Sequence, residues 1–323
     1  MTLSNGKEMM LNKWLRLFRL PNLAMIILTQ YLLGYGIIRP VLHMQKVEAP
    51  LGNFNFALLV FVTVLIASAG YLINDHFDVN TDRRNKPGRN MLDGNLSVRK
   101  AMRLYYLLNG IGILTGFYLA YLAGSFQLGL IFPAIIGLLW FYSSRYQRMP
   151  FWGNLIVAFL SAMVLLIIWL FEFFMLLANS GDFVNVINLL DDINLYVWAY
   201  AVFAFLLSLV REMVKDVQDM EGDRLSGYRT LPVLWGMHKA KWLIVFITII
   251  IILLLAAAQY FLFTKGMILP FWYLLIAVQS IFVYFLVILL MARSAEAFGF
   301  LGTTAKVLML AGILSMELIY ISF

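Results

Sequence analysis

Long apolar stretches dominate the chain, and short segments rich in charge, proline and polar residues separate them. A helix needs about 20 mostly apolar residues to cross a bilayer, because each residue rises about 1.5 Å. Breaking the chain at its charges, prolines and polar clusters leaves nine stretches of roughly that length. We predict transmembrane helices near residues 22–38, 54–73, 102–123, 126–142, 152–177, 196–214, 242–263, 269–291 and 304–322.

Composition supports a protein that uses lipid as its solvent. The 323 residues are 63% hydrophobic and only 13% charged, with a mean hydropathy of +0.86. A water-soluble globule of this length cannot bury so much apolar surface, which excludes a cytosolic enzyme. The absence of cysteine excludes disulfides, thiolate metal sites and cysteine nucleophiles. We therefore predict an all-α polytopic membrane protein: one domain over residues 1–323, a bundle of nine transmembrane helices with Asp-rich connections on the cytoplasmic side.

The positions of the basic residues predict the orientation. If the nine helices alternate in direction, 21 of the 24 lysines and arginines fall on one side of the membrane. The positive-inside rule then places the N-terminus in the cytoplasm and the C-terminus outside, in the cell (inner) membrane. Topology thus accounts for the net charge of +7, and no nucleic-acid partner is needed to explain it.

The acidic residues are distributed differently from the bases. Nine of the 17 lie on two segments, which follow the second and sixth predicted helices on the cytoplasmic side. Each segment repeats one spacing, three residues and then four, which places its aspartates on one helical face. Several carboxylates at a membrane boundary repel one another unless bases or a bound cation offset the charge. The two triads are Asp75, Asp78 and Asp82, and Asp216, Asp219 and Asp223.

Oxygen ligands of this kind suit Mg²⁺, which is often bound by one or two carboxylates together with substrate phosphate and water. Asn74 stands four residues before Asp78 and adds an amide oxygen to the first face. Bases are interleaved with the acids, as a magnesium–diphosphate complex requires, because cations neutralise the phosphate oxygens that the metal does not bridge. Near the triads these bases include Lys86, Arg89, Arg211 and Lys215.

Two motifs resemble those of the UbiA superfamily of intramembrane prenyltransferases. Residues 74–82 read Asn-Asp-His-Phe-Asp-Val-Asn-Thr-Asp, similar to that family's Asn-Asp-x-x-Asp-x-x-x-Asp motif. Residues 211–223 read Arg-Glu-Met-Val-Lys-Asp-Val-Gln-Asp-Met-Glu-Gly-Asp and resemble its second Asp-rich motif, with the likeness continuing into Arg-Thr-Leu-Pro at 229–232. The second motif is closest to the digeranylgeranylglyceryl phosphate synthase branch.

The resemblance implies a nine-helix fold in which both motifs face each other and hold Mg²⁺ against the diphosphate of a polyprenyl donor. It implies metal ligands at Asn74, Asp75, Asp78, Asp82, Asp216, Asp219 and Asp223, with Asp78, Asp82, Asp219 and Asp223 the expected catalytic residues. The expected diphosphate-binding residues are Lys86, Arg89, Arg148, Arg211 and Lys215. The branch implies transfer of a geranylgeranyl group to geranylgeranylglyceryl phosphate.

The sequence departs from the family pattern in two places, and the second departure keeps another acceptor open. Asn90 stands where the family commonly has a second proline, which concerns the shape of that loop. Gln147 stands where the family often has lysine, in a segment that leads to the family's Gly-Asn pair, here Gly153-Asn154. The changed segment 142–148 is compatible with an aromatic acceptor, such as a quinone precursor or a porphyrin-type ring. A third hypothesis is an ion-coupled transporter, since the two triads form a weak internal repeat. Solvated loop charges are the simplest alternative for the individual bases.

Overall fold

The computed structural model describes residues 18–85 and 98–322, with the backbone alone described for residues 80–85 and Ser180. Within those ranges the regular elements are all helical. The α-helices are α1 (Leu20–Leu33), α2 (Arg39–His43), α3 (Gly52–Asn85), α4 (Val98–Leu122), α5 (Ile131–Ser144), α6 (Trp152–Ala178), α7 (Ser180–Val186), α8 (Leu190–Leu225), α9 (Leu231–Thr264), α10 (Ile268–Tyr273), α11 (Ser280–Met291) and α12 (Ala295–Ser322). Two π-helical segments, Gly34–Ile38 and Leu274–Gln279, join α1 to α2 and α10 to α11.

The predicted number of spans is confirmed. Within the described residues, nine helical segments are long and apolar enough to cross a membrane. Several helices continue past the apolar stretches that predict them, and α3 and α8 extend furthest into polar sequence. Both Asp-rich segments therefore lie on helical continuations of transmembrane helices, as their three-and-four spacing indicates.

Packing divides the chain into two compact units. One contains Met1–Leu28 and Leu51–Arg145, and the other contains Thr29–Pro50 and Tyr146–Phe323. The first Asp-rich motif belongs to the former unit and the second motif to the latter. The assignment of residues 1–323 to one domain stays a prediction.

In the first unit, α3 packs against α4 and α5. Ala69, Ile73 and Tyr105 form a buried cluster, and the rings of Phe77 and Trp140 pack against it. Phe77 meets Trp140 edge-on with 5.4 Å between ring centroids. Because Ile73 and Phe77 bracket the start of the first motif on α3, this core fixes which face of the helix carries the polar side chains.

In the second unit, α8 is the central helix and packs against α6, α9 and α12. Polar contacts inside the apolar bundle fix its rotation. The indole Nε1 of Trp169 donates to the Asn194 amide oxygen at 2.7 Å, and the hydroxyls of Tyr200 and Ser315 lie 2.6 Å apart. Such contacts satisfy polar atoms that lipid cannot solvate. The second motif is therefore carried by a helix whose orientation is set along much of its length.

Gly227 ends α8 directly after the second motif. Its φ of +74° lies in the left-handed region. Residues with a side chain are strained in this backbone conformation, whereas glycine adopts it without strain. The turn allows the Tyr228 N–H to donate to the Asp223 carbonyl at 2.9 Å. The chain then reverses into α9, which brings residues 228–230 back to the end of the motif.

Candidate active site

The first motif projects polar side chains from α3 near the end of its apolar stretch. Asn74 and Asp78 are one helical turn apart, and the Asn74 amide Nδ2 donates to Asp78 Oδ2 at 2.5 Å. Both side chains are half-buried. The Asn74 amide nitrogen thereby orients the Asp78 carboxylate, and the Asn74 amide oxygen takes no part in this hydrogen bond. Carboxylate and amide oxygens are consequently presented together, as the sequence predicts.

Asp75 has a different partner. Its Oδ1 accepts from the Arg19 guanidinium at 3.1 Å, and that guanidinium also lies 4.9 Å from the centre of the Tyr71 ring. Burial lowers the pKa of Arg19, but the charge and hydrogen bond of Asp75, together with Tyr71 and Tyr142, outweigh that effect and raise the pKa overall. Arg19 thus holds Asp75 as an ion pair before any ligand binds.

Three predicted residues of the first motif lie outside the described residues. They are the Asp82 side chain and the bases Lys86 and Arg89.

The second motif lies on the last turns of α8, where Asn154 supports Asp216. The Asn154 amide Nδ2 donates to Asp216 Oδ2 at 2.8 Å, and only 5% of Asn154 is exposed. Asn154 comes from the first turn of α6, so this contact joins two helices that also pack together. A buried amide donor offsets part of the cost of holding a carboxylate away from bulk water.

Asp223 is held from the other side of the turn. The Thr230 hydroxyl donates to Asp223 Oδ2 at 3.1 Å, and Thr230 is buried. Asp219 lies between Asp216 and Asp223 on the same helix and is half-buried. The three predicted ligands therefore share one face of α8; helix α6 orients Asp216, and the turn after α8 orients Asp223.

The predicted bases of this unit lie in different settings. Arg211 pairs with its neighbour Glu212, whose Oε1 is 2.8 Å away, and Lys215 is exposed. The Arg148 guanidinium lies 5.2 Å from the centre of the Tyr228 ring, a cation–π contact. The Arg148 carbonyl also accepts from the Arg229 N–H at 3.0 Å. These contacts attach the short turn Tyr146–Arg148 to the turn after α8, which also holds Asp223.

A close backbone approach keeps that segment in place. A side-chain carbon added at Gly153 would lie 3.0 Å from both the Gln147 Cα and the Tyr146 carbonyl oxygen. The 3₁₀ turn Tyr146–Arg148 can therefore pack directly against the start of α6 only because residue 153 is glycine. Two consecutive residues thus have complementary roles. Gly153 leaves room for the turn Tyr146–Arg148, and Asn154 donates a hydrogen bond to Asp216.

These donors fit Mg²⁺. Both motifs present carboxylate oxygens, the hard ligands that this cation prefers, and an asparagine amide steadies one carboxylate in each. Among the described side chains, no three acidic or histidine residues converge into a ready-made metal cluster.

Three residues that support the motifs are not predicted from the sequence, one beside the first motif and two beside the second. In the sequence Arg19 is only one of the basic residues that indicate the topology, and Thr230 and Asn154 are only members of motif patterns. A signal existed for Asn154, because Gly153-Asn154 is part of the resemblance. Nothing in the local spacing indicates Arg19, which pairs with Asp75 across 56 residues of chain.

Comparison with known proteins identifies the family of the chain. The pattern of the UbiA prenyltransferase family matches residues 43–320, which is most of the chain.

Three similar curated proteins share one name. The digeranylgeranylglyceryl phosphate synthase of Methanosphaera stadtmanae is 26% identical over 266 residues, covering 82% of this chain and 88% of that protein. The protein of the same name from Saccharolobus solfataricus is 36% identical over 197 residues, covering 60% of this chain and 62% of its own length. That from Thermococcus sibiricus is 31% identical, with 58% of its length matched. The aligned region thus spans less than two thirds of some of these relatives.

Solved structures share the fold. A structure of digeranylgeranylglyceryl phosphate synthase in membranes matches with a TM-score of 0.60 at 23% identity, covering 95% of this chain and 98% of that one. A UbiA homologue from Archaeoglobus fulgidus bound to GPP and Mg²⁺ matches with a TM-score of 0.54 at 16% identity, covering 94% and 99%. At these identities the likeness establishes the architecture.

Proposed function

The chain belongs to the UbiA prenyltransferase family, and we propose that it transfers a polyprenyl group, geranylgeranyl, from its diphosphate to geranylgeranylglyceryl phosphate with the help of Mg²⁺. It is an integral membrane protein with nine apolar helices among its described residues. The family assignment favours an enzyme over the transporter hypothesis.

One observation carries the proposal: the held carboxylates of the second motif. Asp216 and Asp223 each accept a hydrogen bond from a buried side chain on a neighbouring helix or turn. Carboxylates held in this way are pre-organised, so less reorganisation is needed when a cation binds. A solvated surface charge would need no such support.

We assign Mg²⁺ binding to the first motif through Asn74, Asp78 and Asp82, with Asp75 adjacent, and to the second through Asp216, Asp219 and Asp223. When bound, the metal supplies Lewis-acid stabilisation of the diphosphate oxygens.

The protein's own bases provide the rest of the charge for the leaving group. We assign this role beside the second motif to Arg148 and Lys215, since Arg211 pairs with Glu212. An allylic carbon–oxygen bond breaks when the departing diphosphate is stabilised, and one pre-organised contact of this kind is typically worth about 3 kcal/mol. The apolar helices limit the access of water to the allylic cation until the acceptor hydroxyl oxygen bonds to the allylic carbon, and the hydroxyl proton then passes to the released diphosphate.

The names of the relatives support a phosphoglyceryl lipid as the acceptor. The aromatic-acceptor alternative rests on Gln147, whose backbone packs against Gly153 beside the Arg148 turn.

A donor-by-acceptor matrix tests the proposal. The purified protein is reconstituted in lipid nanodiscs and supplied with geranyl, farnesyl or geranylgeranyl diphosphate. Each donor is paired with geranylgeranylglyceryl phosphate or 4-hydroxybenzoate, with and without EDTA. We expect product from geranylgeranyl diphosphate and the glyceryl phosphate, and none with EDTA. Product with the aromatic acceptor alone would overturn the acceptor, and no prenyl transfer at all would overturn the proposed activity.

Two variants connect that activity to the motifs. Asp78→Ala and Asp219→Ala should each abolish diphosphate release. Asp192→Ala is the matched control, because this carboxylate pairs with Lys265 at 3.7 Å, far along α8 from the motif, and should leave turnover unchanged. Equal loss in all three variants would show general destabilisation instead of a role for the motifs.

We also propose that the motifs face the cytoplasm, from the charge bias of the sequence. Because the chain lacks cysteine, Lys265→Cys and Arg293→Cys variants can be labelled singly. Both positions are exposed. In right-side-out vesicles an impermeant maleimide should label position 265 and spare position 293, and the reverse pattern would invert the topology.

A further inference from the structure

Helix α9 is longer than a bilayer requires. Its 34 residues correspond to about 51 Å, whereas the hydrocarbon core is about 30 Å thick. The apolar stretch predicted from the sequence begins only near residue 242, so the first ten or so residues of α9 project from the hydrocarbon at the end that carries the second motif.

The projecting part of α9 is kinked at Gly236. Its φ of 81° and ψ of 157° break the helical geometry between the short segment 231–235 and the remainder. Leu231 and Pro232 are buried against the protein, whereas Leu234 and Trp235 are exposed, Trp235 by 54%. The kink therefore separates the segment 231–235 from the rest of α9. One side of this segment packs against the protein, and its other side is apolar and is not covered by the described residues.

The charged residues within this segment and its flanks, from residue 224 to residue 242, have a single sign. Residues 224–242 contain four lysines and arginines and no acidic residue. Arg224, Arg229 and Lys239 are exposed there. Exposed tryptophan and leucine flanked by bases are typical of a segment lying in the headgroup region of an anionic membrane.

We propose that residues 224–242 form a membrane-interface patch that binds anionic phospholipid headgroups. Leu234 and Trp235 enter the boundary between headgroups and acyl chains, and Arg229 and Lys239 contact lipid phosphates. An anionic lipid surface matches this patch better than an acidic protein does, because the apolar side chains and the charges lie together at the end of a transmembrane helix.

The patch also sets the depth of the second motif. Trp235 follows Thr230 by five residues, and Thr230 holds Asp223. If the motif acts as proposed above, the patch keeps it level with the headgroups, where the phosphate of an amphiphilic acceptor lies. This consequence depends on the proposed function, whereas lipid binding by the patch does not.

Quenching by brominated lipids tests the patch on the full chain. The protein is reconstituted in vesicles of equal parts phosphatidylglycerol and phosphatidylcholine, with bromine on the acyl chains of one lipid or the other. Bromine quenches tryptophan on contact. We expect stronger quenching by brominated phosphatidylglycerol, loss of a large part of that excess in Trp235→Phe, and loss of most of it when Trp242, which is 51% exposed in the same patch, is also replaced by phenylalanine.

Trp272→Phe is the matched control. Trp272 is 51% exposed, close to Trp235, but lies in α10, away from the basic segment. This variant should keep the excess. Arg229→Gln with Lys239→Gln should reduce it severalfold while leaving quenching by brominated phosphatidylcholine unchanged, since each base near an anionic surface favours the charged lipid by about five-fold.

Two results would overturn the proposal. If Trp235→Phe leaves quenching by both lipids unchanged, Trp235 is not in contact with lipid. If both brominated lipids quench equally in the unaltered protein, the patch has no preference for anionic headgroups. Neither result depends on enzymatic turnover, so each is distinguishable from failure of the proposed function.

Discussion

Replacing Asn154 with alanine tests whether the second motif needs a pre-oriented carboxylate. The Asn154 amide is 5% exposed and donates to Asp216 at 2.8 Å. Alanine removes the donor and leaves the carboxylate without this partner. The substitution is small, and the buried space it creates is about that of one amide group.

The expected size of the effect follows from the type of hydrogen bond. A hydrogen bond to a charged group contributes about 1.5–3 kcal/mol. Since about 1.4 kcal/mol changes a rate tenfold, kcat/KM should fall by roughly 10- to 150-fold. The Mg²⁺ concentration for half-maximal rate should rise, because Asp216 must then be oriented by the metal itself. Asn154→Asp should be worse than alanine, since it places a second carboxylate against Asp216.

The assay measures prenyl transfer in nanodiscs against Mg²⁺ concentration, together with Mn²⁺ binding by electron paramagnetic resonance in the absence of substrate. Asn109→Ala is the matched control. Asn109 is an amide buried to a similar extent, 6% exposed, on α4 in the other compact unit. It should alter thermal stability without changing the metal dependence.

An unchanged Mg²⁺ dependence in Asn154→Ala would refute the reasoning if the variant melts at a normal temperature. Asp216 would then be oriented by something other than Asn154, or it would not bind metal.

Other expectations follow from the same contacts. Thr230→Val should raise the Mg²⁺ requirement by about ten-fold, because a hydrogen bond to a charged carboxylate contributes at least about 1.5 kcal/mol; an unchanged titration would show that Asp223 needs no support. Gly116→Ala should lower the melting temperature at a cost of about 2 kcal/mol, since its Cβ would lie 2.2 Å from the buried Phe132 ring. Gly137→Ala should leave the melting temperature unchanged, because nothing lies within 4 Å of a Cβ added there. Equal shifts in melting temperature for the two glycine variants would contradict the packing argument. Chelation with EDTA should stop turnover and leave the melting temperature of the ligand-free protein nearly unchanged, and recovery should follow added Mg²⁺ but not added Na⁺.

The sequence predicts the membrane-spanning helices well because lipid imposes one simple requirement, about 20 apolar residues for each crossing. It also predicts that the aspartates of each motif share a helical face, since Asp216, Asp219 and Asp223 follow helical periodicity. The ends of the helices were harder to place. The polar residues after Ile73, for example, stay helical because neighbouring helices pack against this part of the chain. Hydropathy measures only the apolar character of the residues, so it places the end of the helix too early.

Contacts between distant residues could not be predicted. The pairing of Arg19 with Asp75, and of Asn154 with Asp216, depends on how helices pack, and a single sequence contains no direct record of those contacts. The turn at Gly227 shows the same limit. Its glycine signals a helix end, but only the structure shows that the reversal returns Thr230 to Asp223.

The continuity of α8 has a consequence for how this protein can change over generations. Its 36 residues run unbroken from the far end of the bundle to the last aspartate of the motif. Inserting or deleting one residue between the buried middle and Asp216 would rotate everything beyond it by about 100° and turn the acidic face away from Asn154. Insertions and deletions should therefore be confined to the connections between helices, and within α8 evolution can act only by substitution.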